Sequence, residues 1–504
     1  MLLTRPIEIK CNRTLVKPIH QETIAGWGWG FFLLCLPMVS LAGEGADSKP
    51  LDLTHTWSGY FSLVVIVIAY IAAMFEDVTF LRKSKPMLLG ASLVWIAILV
   101  HYQQNGDTTL ALHAFKENLQ AFFELLLFIM VSMSYLNVME DMRVFDALRI
   151  RLLKLNMGFK SLFWITGGIA FLLSTMVNGL TTGLLVGAVA IAVGKQNPKF
   201  VSLAAINIVG ACNAGGSFSP LGGISTLFVW QGGVLKFTDF FLLFIPCVVN
   251  FVVPALIMSF AVPRGIPKIE IETIELQRGT KRIIALFVVT ISLTVVFNMA
   301  LELPPAAGMM AGLSLLQFFS YYLMKTSDLF TTIPEASVLN DDDAASRDLK
   351  DLQRGQSFMI FEKIGRLEWD TLFFFYGAMV GIGGLGFIGY LDAVSGWLFG
   401  EHSATVANIL IGLSSAFVDN GTLMFAVLNM HPDLPMGQWL LVTLTLGVGG
   451  SLLAIGSAPG IGLMGIAKGK YTFASHMTWS PVILLGYFAA IGTHLLVNAH
   501  LFSE

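Results

Sequence analysis

Apolar runs long enough to cross a hydrocarbon layer recur from residue 57 almost to the C-terminus, and no other feature limits the possible folds as much. A layer about 30 Å thick takes roughly 20 apolar residues in helical form, and helices suit it because each pairs its backbone N–H and C=O groups internally. The runs fall at about 57–75, 87–103, 120–138, 159–177, 180–194, 200–212, 224–230, 238–260, 283–301, 305–324, 370–392, 404–418, 420–430, 437–466 and 479–499. Several are too short or too rich in glycine to be ordinary spans. Only 12% of the residues are charged, about half the share of a soluble globular chain. The expected fold class is an all-α polytopic membrane protein.

Residues 1–24 are polar and basic (Arg5, Lys10, Arg13, Lys17) and precede "WGFFLLCLPMVSLAG", an apolar run that ends in small residues. Residues 1–42 read as a signal peptide cut near Ala42 or as an uncleaved N-terminal anchor. Lys and Arg collect on the cytoplasmic side of membrane proteins, so "RKSKP" after the first span, "MRVFDALRIRLLK", residues 263–282 and residues 325–368 read as cytoplasmic. Segments 104–118, 302–304 and 393–403 hold one Lys between them and alternate with the basic loops, which sets them outside. The expected organisation is a first membrane half over 57–324, a charged cytoplasmic linker over 325–368 and a second membrane half over 369–504.

A weak internal repeat relates the halves. "STMVNGLTTGL" (174–184) is followed by "NAGGSFSPLGGIST" (213–226), and "SSAFVDNGTLM" (414–424) by "GVGGSLLAIGSAPG" (447–460). Each half thus offers a polar break and then a Gly/Ser-rich break, which continuous helix does not tolerate well. Paired interruptions at matching positions point to a transporter's binding site, because unwound backbone survives at membrane depth only against protein or water. The four breaks are therefore expected together near the bilayer midplane, each as a hairpin tip or an interrupted helix.

An ionised carboxylate at the bilayer centre costs about 2.5–3.5 kcal/mol on insertion scales, so an idle one is unusual. Asp419, beside Asn420 in the second polar break, and Asp370, beside Thr371 at the start of an apolar span, are the main candidates. A carboxylate with hydroxyls, amides and freed carbonyls is the oxygen set that replaces the hydration shell of a hard cation such as Na+ or Li+. The same carboxylate holds a proton when burial disfavours its charge, and competition between the two occupants is enough for antiport. Thr181, Thr182, Ser225, Thr226, Ser415, Ser451 and Ser457 concentrate at the breaks, though taken singly most would pass as small packing residues, and Asn178, Thr181, Thr182 and Asn420 supply neutral oxygens. Asp370 could simply oppose a helix dipole at an N-terminus. Glu124, isolated in "AFFELLLFIM", is a candidate for a proton path, whereas Glu76 and Asp77 read as solvated or salt-bridged at a membrane end.

His113, His402, His431, His476 and His494 fall in loops or at span ends, and none is singled out. Cys11, Cys35, Cys212 and Cys247 lack metal or disulfide spacing. No GxSxG, HExxH or P-loop signals an enzyme, no basic stripe marks a nucleic-acid surface, and a proton-driven carrier implies no cofactor. The rival reading is a sodium-coupled symporter of a small anion, since half-helix N-termini with neutral side chains favour an anion.

With "RKSKP", "FFELLLFIMVSMSYLNVMEDMRVFDALR", "NAGGSFSPLGG", "EWDTLFFFYGAMVGIGGLGFIGYL", "SSAFVDN" and "GGSLLAIGSAPG" in that order, the chain resembles the NhaD-type sodium/proton antiporters. The resemblance implies an inverted-repeat secondary transporter, multi-pass in the bacterial inner membrane, that exchanges cytoplasmic Na+ or Li+ for external H+; a homodimer stays open. It also implies that Asp370, Thr371, Ser415, Asp419, Asn420 and Ser457 occupy ion-binding or translocation positions. Two departures stand out. Asn178-Gly179 stands where the family usually reads Asp-Asn, and Gly222-Gly223 where it usually reads Gly-Asp.

Overall fold

The computed structural model of the chain describes residues 50–502 apart from 75, 80, 106–107, 146, 148–149, 151–156, 268–278 and 327–363. The expected signal or anchor over 1–42, Cys11, Cys35, the Asp77 side chain and most of the 325–368 linker lie outside the described residues. Helices make up the structure: α1 (Trp57–Met74), α2 (Ser84–Asn105), α3 (Thr109–Asp141), α4 (Phe159–Leu173), α5 (Gly179–Val193), α6 (Pro198–Ser217), α7 (Ile224–Gln231), α8 (Phe244–Ser259), α9 (Thr280–Leu301), α10 (Pro305–Thr326), α11 (Trp369–Phe387), α12 (Ala404–Ser414), α13 (Asn420–Asn429), α14 (Met436–Gly449), α15 (Ala458–Ile466) and α16 (Ser480–Val497). Among the described residues, eight helical segments are long and apolar enough to cross a membrane, so the chain is a multi-pass membrane protein. The expected outside segment 104–118 is partly helical, because "TLALHAFKENLQ" consists mainly of good helix formers and extends α3 to 33 residues.

The packing is symmetric under exchange of two series, α3–α8 and α11–α16. α4 packs on α6 as α12 packs on α14; α5 packs on α15 as α13 packs on α7; and α3 meets α11, α6 meets α14 and α8 meets α16. The two central helices, α6 and α14, bury nearly all their residues, whereas α9 leaves most of its apolar surface exposed. A helix apolar all round belongs either in the core or in lipid, and the two kinds sort accordingly.

Neighbours at the helix ends distinguish hairpins from interrupted spans. The start of α4 meets the start of α6 through the Phe159 and Phe200 rings, 4.7 Å apart. The end of α5 meets the segment after α15, where Lys470 Nζ donates to the Lys195 carbonyl at 2.7 Å. α4 and α5 pack on each other and form a re-entrant hairpin. The chain through α6 and α7 instead runs on to the opposite end, where Trp230 donates to Asn298 near the end of α9. The second series repeats this scheme from the other end. Asn408 on α12 donates to Gln438 on α14 at 2.8 Å, and Asn429, the last residue of α13, lies by Gly386 at the end of α11. Each series therefore holds one hairpin, then one interrupted span.

Candidate ion-binding site

The two hairpins turn by the same local chemistry. After α4, the Ser174 hydroxyl donates to the Cys212 carbonyl on α6 at 2.7 Å; after α12, the Ser415 hydroxyl donates to the Leu446 carbonyl on α14 at 3.0 Å. Four residues further on, Asn178 Oδ1 accepts the Leu180 N–H at 3.1 Å and caps α5. Its counterpart Asp419 Oδ2 accepts the Thr422 N–H at 3.1 Å and the Thr422 hydroxyl at 3.3 Å, and caps α13. Asn and Asp are strong caps because a side-chain oxygen satisfies one orphan N–H of the first turn.

Glycines let each hairpin tip lie against an unwound segment. A Cβ on Gly222 would come within 2.6 Å of the Gly216 Cα and press on the Ser174 carbonyl; one on Gly456 would come within 2.7 Å of both the Ala416 and Gly450 carbonyl oxygens. Across the pseudo-symmetry, Gly183 on α5 faces Pro459 on α15, and Gly421 on α13 faces Ile224 on α7, at 2.9 and 2.8 Å from where a Cβ would stand. The structure thus brings all four breaks into one cluster.

Asp419 is half-buried. Its backbone N–H donates to the Tyr70 hydroxyl at 3.3 Å. Tyr70 lies one turn before the end of α1 and tilts on Phe374 at 6.4 Å between centroids, and Lys83 sits 5.0 Å over that ring. These neighbours put the second tip toward the end of the bundle that carries "RKSKP". At that same end a cleft opens, lined among others by Asn178, Gly222, Gly223, Ile224, Glu368 and Thr371. Ile224 both lines this cleft and touches Gly421, so it stands between the first tip and the second.

Asp370 is in the first turn of α11 and accepts a hydrogen bond from the Ser84 hydroxyl at the start of α2. It does not line the cleft, whereas its neighbour Thr371 does and donates to Glu368 Oε2 at 3.4 Å. Thr182, Ser225, Thr226, Ser415 and Ser457 are buried, and Thr181 and Asn420 half-buried. Thr226 is tied down, donating to the Gly223 carbonyl at 2.8 Å. Ser457, the N-cap position of α15, keeps a buried hydroxyl that has no hydrogen-bond partner among the described residues. Glu124 lies away from the breaks on α3, where Gln120 donates to it at 3.2 Å.

Sequence reasoning missed Ser174, Tyr70, Ser84 and Glu368. Ser174 could have been found by aligning the two polar breaks, since it stands four residues before Asn178 as Ser415 stands before Asp419. Tyr70, Ser84 and Glu368 reach the cluster only through tertiary contacts.

The family model described as a citrate transporter matches residues 66–447. The Na(+)/H(+) antiporter NhaD of Vibrio cholerae serotype O1 is 50% identical over 457 residues, covering 91% of this chain and 95% of that protein. Those of Halomonas elongata and Alkalimonas amylolytica are 46% and 45% identical, each covering 94% of this chain and 96% and 98% of their own lengths.

Proposed function

The chain belongs to the citrate-transporter family and, among its members, to the NhaD-type sodium/proton antiporters, and from that premise we propose that it exchanges Na+ or Li+ for H+ by competition at Asp419. The observation that carries the reading is the position of Asp419: among the described residues of the four breaks it is the sole carboxylate. It lies at the meeting point of two helix N-termini, where the dipoles stabilise its charge and protein oxygens replace water around a bound ion.

A cytoplasmic cation enters by the cleft, where Glu368 attracts it and Thr371 and Asn178 offer neutral oxygens. Asp370, held by Ser84 at the same end, adds a carboxylate beside the cleft without lining it. Past Ile224 the ion meets Asp419, with Asn420, Ser415 and Ser457 at the second tip and Thr181, Thr182, Ser225 and Thr226 behind the first. Alternating access then exposes the loaded tip to the other side, and a proton takes the carboxylate for the return. Support for a bacterial inner-membrane location comes from the bacterial relatives and the basic loops; the apolar outer faces of α1 and α9 contact lipid. The sodium/proton antiport by which the relatives are named gives no support to the anion-symporter rival.

Everted vesicles carrying a proton-gradient dye test this. Na+ or Li+ should dequench the dye and K+ should not, with the response absent in Asp419→Asn. A sodium response undiminished in that variant would end the reading.

A further inference from the structure

We propose that a small cavity between α6, α8 and the second Gly/Ser break is a water-binding site, and that the bound water holds the break to both helices through groups separate from those assigned to the ion. The inference stands apart from the exchange reading, since it involves none of the ion's ligands.

The cavity is lined by Asn207 on α6, Asn250, Phe251 and Met258 on α8, Ser451 between α14 and α15, and Ile483 on α16. Its three polar side chains belong to residues no more than 3% exposed. Asn207 donates to the Phe163 carbonyl at 2.9 Å and the Ser451 hydroxyl to the Val448 carbonyl at 2.6 Å, so both are held in place with oxygen lone pairs still to offer. Asn250 Nδ2 is buried with no hydrogen-bond partner among the described residues, a costly condition for a polar group. Pro254 adds to the deficit, because it has no N–H for the Asn250 carbonyl four residues before it in α8. Gly486 on α16 closes over this place; a Cβ there would stand 2.5 Å from Pro254 Cγ.

A ligand that both accepts and donates satisfies the set. Water accepts from Asn250 Nδ2 and donates to Asn207 Oδ1 and Ser451 Oγ, about three bonds, the usual number for a buried water. Because water does both, the fit survives exchange of the amide O and N positions. A bare cation fits poorly, since among the described residues no carboxylate lines the cavity, and an apolar guest would leave the amide unpaired.

The shared architecture does not impose this site. The matching contacts Ser174–Cys212 and Ser415–Leu446 make Ser217 the equivalent of Ser451 and Asn207 the equivalent of Leu441. Ser217 is packed against Gly447, where a Cβ would press on its hydroxyl, and Leu441 is apolar and buried. The second break thus keeps a polar cavity where the first has close packing. The Ser451 carbonyl also takes the His476 Nε2–H at 2.9 Å. The water adds a tie to the same residue that can part without repacking side chains, which suits a segment that shifts during transport.

Hydroxyl radicals generated by an X-ray pulse from water within the purified protein, with oxidised side chains read by mass spectrometry, test the site. Met258 is 2% exposed, and Met87 and Met309 are 0% and 1% exposed, so none of the three meets bulk solvent. Met258 should be oxidised well above the other two, and in Asn250→Leu that excess should be lost. Asn250→Val, shorter at the same position, replaces the leucine variant if that one does not fold. Equal labelling of the three methionines in the parent, or an excess unchanged in the variant, would overturn the proposal. So would a higher melting temperature in the variant, the mark of an amide that had no partner to lose.

Discussion

Asn178 and Asp419 occupy equivalent places in two pseudo-symmetric hairpins, each four residues after the serine that ties the turn to the neighbouring interrupted helix, and each capping the outgoing helix through a contact of 3.1 Å. The structural task at the two positions is the same. The difference is one charge, so capping and ion handling can be separated by substitution.

Asp419→Asn should abolish sodium-driven proton movement while leaving stability close to that of the parent, because Asn caps as well as Asp. Asp419→Ala should lose both, with about 1 kcal/mol of added destabilisation from the missing cap. Vesicle transport assays and thermal unfolding in detergent, run on the pair, check this.

Ser457 has a buried hydroxyl with no hydrogen-bond partner among the described residues, so its removal breaks no hydrogen bond within them. Ser457→Ala should keep the melting temperature and weaken sodium affinity about 2- to 10-fold, the range of a single neutral hydrogen-bond-scale contact. The sodium concentration for half-maximal dequenching reads the effect; a large drop in melting temperature with unchanged affinity would give the residue a packing role only.

Gly456→Ala should destabilise the protein by about 1–3 kcal/mol or prevent its accumulation, because the added Cβ would stand 2.7 Å from two carbonyl oxygens of the backbone. Gly465→Ala, where nothing lies within 4 Å of the added atom, is the control and should be neutral or slightly stabilising. Yield and thermal stability of the two variants decide the matter.

His476 lies in the short connector helix between α15 and α16. Its Nε2–H donates to the Ser451 carbonyl at 2.9 Å and its Nδ1 accepts from the Tyr471 hydroxyl at 2.7 Å, an arrangement that fixes the neutral tautomer. Burial, partly offset by the Ser451 bond, holds its pKa below the ordinary 6.5. Between 6.5 and that lowered value the unfolded chain binds more protons than the folded one. Its contribution is therefore full above pH 6.5 and is lost as pH falls through that window. His476→Gln, whose amide can still reach the carbonyl, should show a shallower loss of stability on acidification; unfolding of parent and variant at a series of pH values measures the difference.

The positions of the helices were almost all legible, because long apolar runs in a membrane chain leave helix as the available answer; α5, α7, α9 and α13 begin and end within about three residues of the runs read from sequence. The breaks were legible too, since glycine, serine and asparagine accumulate where helix fails. The distinction between hairpin and interrupted span was not, because it depends on which ends meet, as Phe159 meets Phe200 and Lys470 meets Lys195. The Ser84 partner of Asp370 and the Tyr70 hydroxyl over the Asp419 amide were hidden for the same reason: they join residues 286 and 349 positions apart, and no local pattern encodes such a pairing.

Proton release on sodium binding to the purified protein, followed by a pH indicator in weak buffer, tests the exchange at Asp419 most directly. The account predicts about one H+ released per Na+ bound, an apparent sodium affinity that weakens as the medium is acidified, and neither effect in Asp419→Asn. Sodium binding without proton release, or release that persists in Asp419→Asn, would contradict it.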